Sequence, residues 1–194
     1  MTSRTDSNDS TGAIHFPDEN ELENWFEENH RNTDGVWLKI AKKGSGIRSV
    51  DAVQALDVAL CYGWIPARRQ SLDARFFLQK LTPRRARSVW SMVNIRKVEA
   101  LIEAGRMREP GLAEIRAAQA DGRWDAAYEG QARAEVPAGL TAALAERPDA
   151  AARFEELDRT GRYLLMLPLL KAVGEQNREL QLKRILQQLE STAR

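Results

Sequence analysis

Residues able to do chemistry crowd into one stretch of this chain. From Tyr62 to Lys97 there are nine Lys or Arg and a single acid, Asp73, a local charge of +8 where the whole chain carries +1. Arg84, Arg85 and Arg87 fall close together, Ser88, Ser91 and Asn94 follow at three-residue spacing, and Arg68 and Trp90 flank them. Guanidinium forks beside hydroxyl and amide donors are the groups that grip phosphate or carboxylate. These eight residues form the candidate ligand-binding set, and the ligand class they imply is an anion. Nucleic acid, an acidic protein surface and a phosphorylated small molecule all qualify. A competing use of the same charge lies within the chain, because residues 18–34 hold seven acids against Arg31, a net −6. Internal pairing with that acidic segment would make the arginines scaffold.

Other chemistries find less support. Cys61 has no histidine near it in sequence, and the only two are His15 and His30. A reactive thiolate needs a helix N-terminus or adjacent cations, whereas Cys61 ends an amphipathic stretch, a common place for an inert buried thiol. No Cys/His cluster has zinc spacing, and Lys43-Gly-Ser-Gly46 lacks the geometry of a phosphate loop. Neither a metal nor a cofactor is expected. The alternative to a binding protein is a small enzyme with a cleft between its two halves, using Cys61, Tyr62, Asp73, Arg84, Ser88 and Asn94.

The elements that must position these groups are legible from period and punctuation. Asp18 with Glu21 resembles a capping box ahead of Leu22, Trp25 and Phe26, predicting a helix over 19–29. Asp34-Gly35 turns the chain into an alternating strand, 36–41, with Trp37 on its less buried face. Ser49 is the expected cap of a second helix through Val53, Leu56 and Leu60, which Gly63 ends. Two β-rich runs, 64–68 and 75–81, read as a hairpin. From Thr82-Pro83 the pattern turns helical, with Ser88 as a second cap for a helix running to Gly105. Further helices are expected over 110–120, 124–132, 137–146, 149–157, 162–173 and 176–189, with a boundary or kink at Pro168. Trp64 is expected in the core, and Trp124 as a packing anchor of the helical half.

The fold class is therefore α+β, with a small antiparallel sheet and covering helices in front and an all-helical C-terminal half. Residues 1–13 read as a polar disordered tail, 14–105 as the α+β core and 106–194 as a helical region packed on it. A chain of 194 residues with 29% charged and 43% hydrophobic residues is an ordinary soluble composition. It holds no apolar run of the roughly 20 residues that span a bilayer. The N-terminus lacks the basic-then-apolar order of a secretory signal, and Cys61 cannot form an internal disulfide. The cytoplasm is the expected location. A pI of 7.9 argues against general nucleic-acid affinity, although concentrated charge still leaves a local footprint.

At ALCYGWI, LTPRRARSVWSMVN and AGRMREPGL…DGRW the chain resembles the YdeI/OmpD-associated family, small bacterial proteins also labelled bacteriocin-protection proteins. The resemblance spans about residues 16–162. It implies an α+β front with a helical rear and a stress- or bacteriocin-protection role, with no defined catalytic activity. Two departures matter. Members usually carry Asp after Gly-Trp-Ile, where this chain has Pro66, so an acid-base role for that aspartate has no carrier here. The basic C-terminal helix of the family is thinned to Ala172-Val-Gly-Glu-Gln-Asn177-Arg178-Glu179, and no binding role extends there.

Overall fold

The computed structural model describes residues 12–32 and 34–191, so the expected polar tail falls almost wholly outside the described residues. In chain order the elements are α1 (Glu19–Asn29), β1 (Val36–Ala41), α2 (Ala52–Cys61), β2 (Trp64–Ser71), β3 (Phe76–Pro83), α3 (Met92–Glu103), α4 (Glu109–Ala120), α5 (Ala138–Ala145), α6 (Pro148–Glu156), α7 (Arg159–Leu170) and α8 (Glu175–Ser191). The class is α+β, as the sequence implies. Two compact units divide the chain: one holds the residues through Ser88 with Arg96–Asp121, the other Val89–Ile95 with Gly122 onward.

In the first unit an antiparallel sheet runs in the order β1-β3-β2. Alternation decides its faces. Val36, Leu38 and Ile40 pair with Leu81, Gln79 and Phe77 on one face, and the aliphatic members are buried. Trp64 continues that face, with its ring 5.1 Å from Phe26 of α1 and its indole N–H donating to the His30 carbonyl at 3.0 Å. β2 is an edge strand, and its ladder shifts register between Pro66 and Arg68, a place where a missing N–H does no harm. The edge of β1 is covered by Ile14, whose N–H donates to Trp37 O at 2.8 Å while its own carbonyl accepts from Lys39 N at 2.9 Å.

Asp18 caps α1 as expected, accepting from Glu21 N at 3.1 Å. The cap of α2 is Asp51, not Ser49: Asp51 accepts from Val53 N and Gln54 N, and Gln54 returns the bond in a full capping box. A carboxylate that satisfies two free N–H groups displaces a hydroxyl two residues earlier, which instead accepts from Ala41 N. The inward face of α2 is Ala55, Val58, Ala59 and Leu60, while Val53 is 57% exposed. Gly63 ends the helix in the left-handed region at φ +75°.

The junction of α2 with α4 is tight. A methyl group on Gly111 would lie 2.4 Å from the Cys61 carbonyl and 2.7 Å from that of Leu60. The same carbonyl of Cys61 accepts from Arg108 N at 3.2 Å, so the residue just before α4 caps the end of α2.

The chain does not turn helical at Thr82-Pro83. Both residues finish β3, opposite Ile65 and Trp64, because pairing with β2 outweighs a local start signal. Nor does Ser88 cap a helix. Ser91 does, accepting from Asn94 N at 3.2 Å, and α3 begins at Met92. Gly105 closes α3, with Arg106 N returning to Leu101 O at 2.9 Å.

The second unit is built on Leu140, Phe154, Met166, Leu169, Ile185, Leu186 and Leu189, drawn from α5 to α8. Residues 124–132 form turns rather than the expected helix. Tyr128 N donates to Trp90 O at 3.1 Å and Met92 N to Tyr128 O at 2.9 Å, so this segment gives its backbone to the chain beside Trp90. Trp124 anchors there against Trp90, ring centres 5.0 Å apart. α7 runs through Pro168 and ends at Leu170, so of the boundary or kink expected between Leu164 and Leu169 the boundary does not occur there. The carbonyl deprived of its donor belongs to Leu164, a residue that is 59% exposed.

Gly111→Ala forces backbone apart at the end of α2, and overpacking of this kind costs about 1–3 kcal/mol or more. At about 2–4 °C per kcal/mol its melting temperature falls by several degrees. Gly139→Ala, on an open face of α5 with nothing within 4 Å of the new methyl, leaves melting unchanged or raises it. Thermal melts of the two variants check the contrast.

Candidate functional site

The arginines after β3 separate into two environments. Arg84 is 7% exposed and anchored through its N–H to Gly63 O at 3.0 Å. Arg85 and Arg87 are exposed. They lie on a turn in which Ser88 N donates to Arg85 O at 2.8 Å and Ser88 Oγ accepts from Arg85 N at 3.0 Å. That turn, and not a helix start, presents them, so no helix dipole aids an anion there. Among the described residues neither guanidinium makes an ion pair. Trp90, Ser91 and Asn94 belong to the second unit: Trp90 is in its core at 2% exposure, and Ser91 and Asn94 are half-buried at the first turn of α3.

Arg68 lies elsewhere, on the sheet. It is exposed and paired across the ladder with Lys80, which in turn pairs with Trp37. The next row of this outward face is Lys39, Leu78 and Gln70, and beyond it lie Ala41 and Phe76. The three strands together hold Lys39, Arg68, Arg69 and Lys80 and no acid. Cations cover the rings: Lys80 Nζ is 5.9 Å from the Trp37 ring centre, Lys39 Nζ 4.7 Å from that of Phe76, and Arg69 4.7 Å from that of Phe77. The buried Gln79 stitches the bulged edge, donating to the carbonyls of Arg68 and Lys80 and accepting from Arg69 Nε. His15 lies edge-on to Phe76 and is held below its ordinary value, first by burial and then by Lys39.

Trp37, Lys39, Phe76 and Lys80 did not enter the candidate set. Their signal was available in the alternation of two strands, but it forms one face only once the register is known. The run from Arg68 to Arg87 conceals this, because residues adjacent in sequence point to opposite sides of the sheet.

The acidic first helix does find cations, from another part of the chain. Asp18 pairs with Arg48 at 2.5 Å and Glu19 with Arg106, while Arg108 reaches Glu23 at 3.6 Å and Glu27 at 4.0 Å. Lys97 is held by Asp57 at 2.5 Å. Arg106 and Arg108, in the loop before α4, carry out the internal pairing that the 84–87 cluster was weighed for.

The residues weighed for catalysis do not share one place. Asp73 closes the hairpin, accepting from Arg75 N at 2.7 Å and Phe76 N at 2.8 Å, contacts that hold its carboxyl below the usual range. β3 lies between it and Arg84, a length of about 25 Å at roughly 3.3 Å per residue. Burial pushes the Cys61 thiol up to about 11, outweighing Arg106, which pulls the other way. Burial also raises the Tyr62 phenol, with Arg108 opposing it. Among the described residues no group of three or more His, Cys, Asp or Glu is placed to hold a metal. No helix among them is long and apolar enough to cross a membrane.

Two family profiles match the chain. Residues 14–114 match one described as a domain of unknown function, DUF8412, a span from the strand-like contact of Ile14 to the first turns of α4. Residues 133–192 match one described as "Bacteriocin-protection, YdeI or OmpD-Associated", and bracket α5 to α8. The YdeI/OmpD-associated resemblance is thus located in the helical C-terminal region, while the motifs at 59–94 fall under the other profile. No curated protein and no solved structure matches the chain.

A buried thiol with a raised value has a defined pH signature. Its contribution to stability is fully present below the ordinary value of 9.0 and is lost as pH rises from there towards about 11. The stability difference between the wild type and Cys61→Ala therefore narrows over that window, and a thiol reagent labels native Cys61 slowly at pH 8 and rapidly after denaturation. Fast native labelling would mean an exposed, activated thiol.

Proposed function

From a chain that belongs to the DUF8412 family and carries a YdeI/OmpD-associated domain behind it, we propose a non-enzymatic binding protein of the bacteriocin-protection type that engages an anionic partner. Its contact surface is the outward face of the sheet, carried by Arg68 and Lys80, with the exposed turn of Arg85 and Arg87 as a second basic contribution. The observation carrying this reading is the segregation of charge in the first unit. Asp18, Glu19, Glu23 and Glu27 pair with Arg48, Arg106 and Arg108, whereas the sheet strands hold no acid and four cations, of which Lys39, Arg68 and Lys80 stand on the outward face. Arg68 is exposed beside the half-buried Lys80 on the outward face, and Arg85 and Arg87 are exposed on their turn, a grouping of positive charge that supports attraction of an anion.

Retention on a heparin resin tests it. The wild type is held and released by salt, and Arg68→Gln with Lys80→Gln elutes earlier while melting within about 1 kcal/mol of the wild type, Arg68 being exposed and the half-buried Lys80 giving up only its contact with the Trp37 ring. Arg106→Gln behaves oppositely: it strips Glu19 of its partner, lowers stability by about 1 kcal/mol and leaves retention unchanged. Equal elution of the wild type and the sheet variant, or loss of retention in Arg106→Gln alone, contradicts the assignment.

A further inference from the structure

We infer that the second unit carries a binding site of its own, a groove between α5, α7 and α8 that takes a small organic cation with an aliphatic body, such as an alkylamine. The site lies apart from the sheet and is independent of the anion-binding reading, which concerns the first unit. It originates in the pattern of α8. Leu182, Ile185, Leu186 and Leu189 recur at helical spacing, and the last three are buried in the core of the unit. Carried back towards the start of the helix in steps of three and four, the same stripe passes through Glu179, Arg178 and Glu175. Apolar residues there would close α8 over its neighbours. Charged ones leave Leu140, Leu169 and Leu170 as the floor of a cavity of about 410 Å³, with Leu182 beside them, a size that suits a small molecule.

Two carboxylates decide the charge of the ligand. Glu175 and Glu179 both line the groove, one helical turn apart, and both are exposed. Among the described residues neither makes an ion pair. The helix dipole accounts for an acid at Glu175, in the first turn of α8, but it has faded by Glu179. Arg178 is the one cation among the lining residues, and its Nε donates to the Ala172 carbonyl at 3.3 Å, which ties it back to the turn after α7. Two acids against one arginine leave the lining negative. Lys171, next to Leu170 in sequence, has its ammonium 5.2 Å from the centre of the Tyr128 ring. A carboxylate pair beside an aliphatic floor complements a molecule that carries a cationic head on an alkyl chain. A neutral or anionic amphiphile of the same length gains the floor alone. Each methylene fully buried there strengthens binding by up to about fourfold.

The test follows leucine methyl resonances of the full chain by NMR while octylammonium, butylammonium, octanol and octanoate are added in turn, each below its micelle concentration. Octylammonium shifts the methyls of Leu140, Leu170 and Leu182 and binds most tightly. Octanol binds about fivefold more weakly, the share of two exposed ion pairs, and octanoate more weakly still. Butylammonium, with a shorter body on the same head, loses about tenfold or more. Glu175→Gln with Glu179→Gln brings octylammonium down to the level of octanol and leaves octanol itself unchanged. Both positions are exposed, so that variant melts close to the wild type. Gly139→Leu, on the groove wall where a new methyl meets nothing within 4 Å, weakens all the eight-carbon probes alike. Equal binding of octylammonium and octanoate, or a double variant that binds octylammonium as the wild type does, overturns the cation assignment. Methyl shifts that miss the groove, or none at all, remove the site. Tighter binding of a short peptide of alternating lysine and leucine than of octylammonium overturns the small molecule in favour of a protein partner.

Discussion

The contact between Gly111 and the last carbonyls of α2 is the constraint from which the first unit follows. No side chain fits there, since a methyl group would lie 2.4 Å from the Cys61 oxygen. On one side of the contact the chain leaves α2 through Gly63, whose carbonyl accepts from Arg84 N and so ties the end of β3 to the start of β2. On the other side it fixes the loop before α4, which carries Arg106 and Arg108 to the acids of α1. One steric fact thereby joins the helix layer to the sheet and decides which arginines neutralise the acidic helix.

The charge pattern of the unit is a consequence. Asp18, Glu19, Glu23 and Glu27 pair with Arg48, Arg106 and Arg108, none of which lies on a strand. Lys39, Arg68 and Lys80 stand on one side of a ladder whose other face buries Val36, Leu38, Ile40 and Leu81, while Arg69 belongs to that second face at its edge and donates to Gln79. The aromatic rings among them serve two ends at once. Their faces hold the long cationic side chains in place, and in doing so they keep an apolar surface ready beside the charge.

Much of this was legible in the residues, and the misses share a cause. α1, β1 and the β2–β3 hairpin announce themselves through caps, alternation and turn residues, because those signals are local. The ends of β3 and α3 do not. Thr82-Pro83 reads as a helix start until Ile65 and Trp64 are known to lie opposite, and Ser88 and Ser91 are equivalent caps until Tyr128 takes the backbone beside Trp90. The same holds for the site. The concentration of charge between Tyr62 and Lys97 is visible in one dimension, yet it divides in three. Arg84 and Trp90 are buried, Arg85 and Arg87 ride a turn, and Arg68 joins Lys80 and Trp37 on a surface no single stretch of sequence contains. Side-chain facing is set by register, and register is a tertiary property.

The central claim is that the outward sheet face with Arg68 and Lys80, and not the arginines paired to helix α1, meets the anion. Backbone amide shifts followed by NMR during titration with inorganic polyphosphate test it most directly. The account predicts salt-sensitive shifts at Trp37, Lys39, Arg68 and Lys80, with the amides of α1 and of Arg106–Arg108 unmoved. Shifts centred on Arg106, Arg108 and α1 with a silent sheet would contradict it.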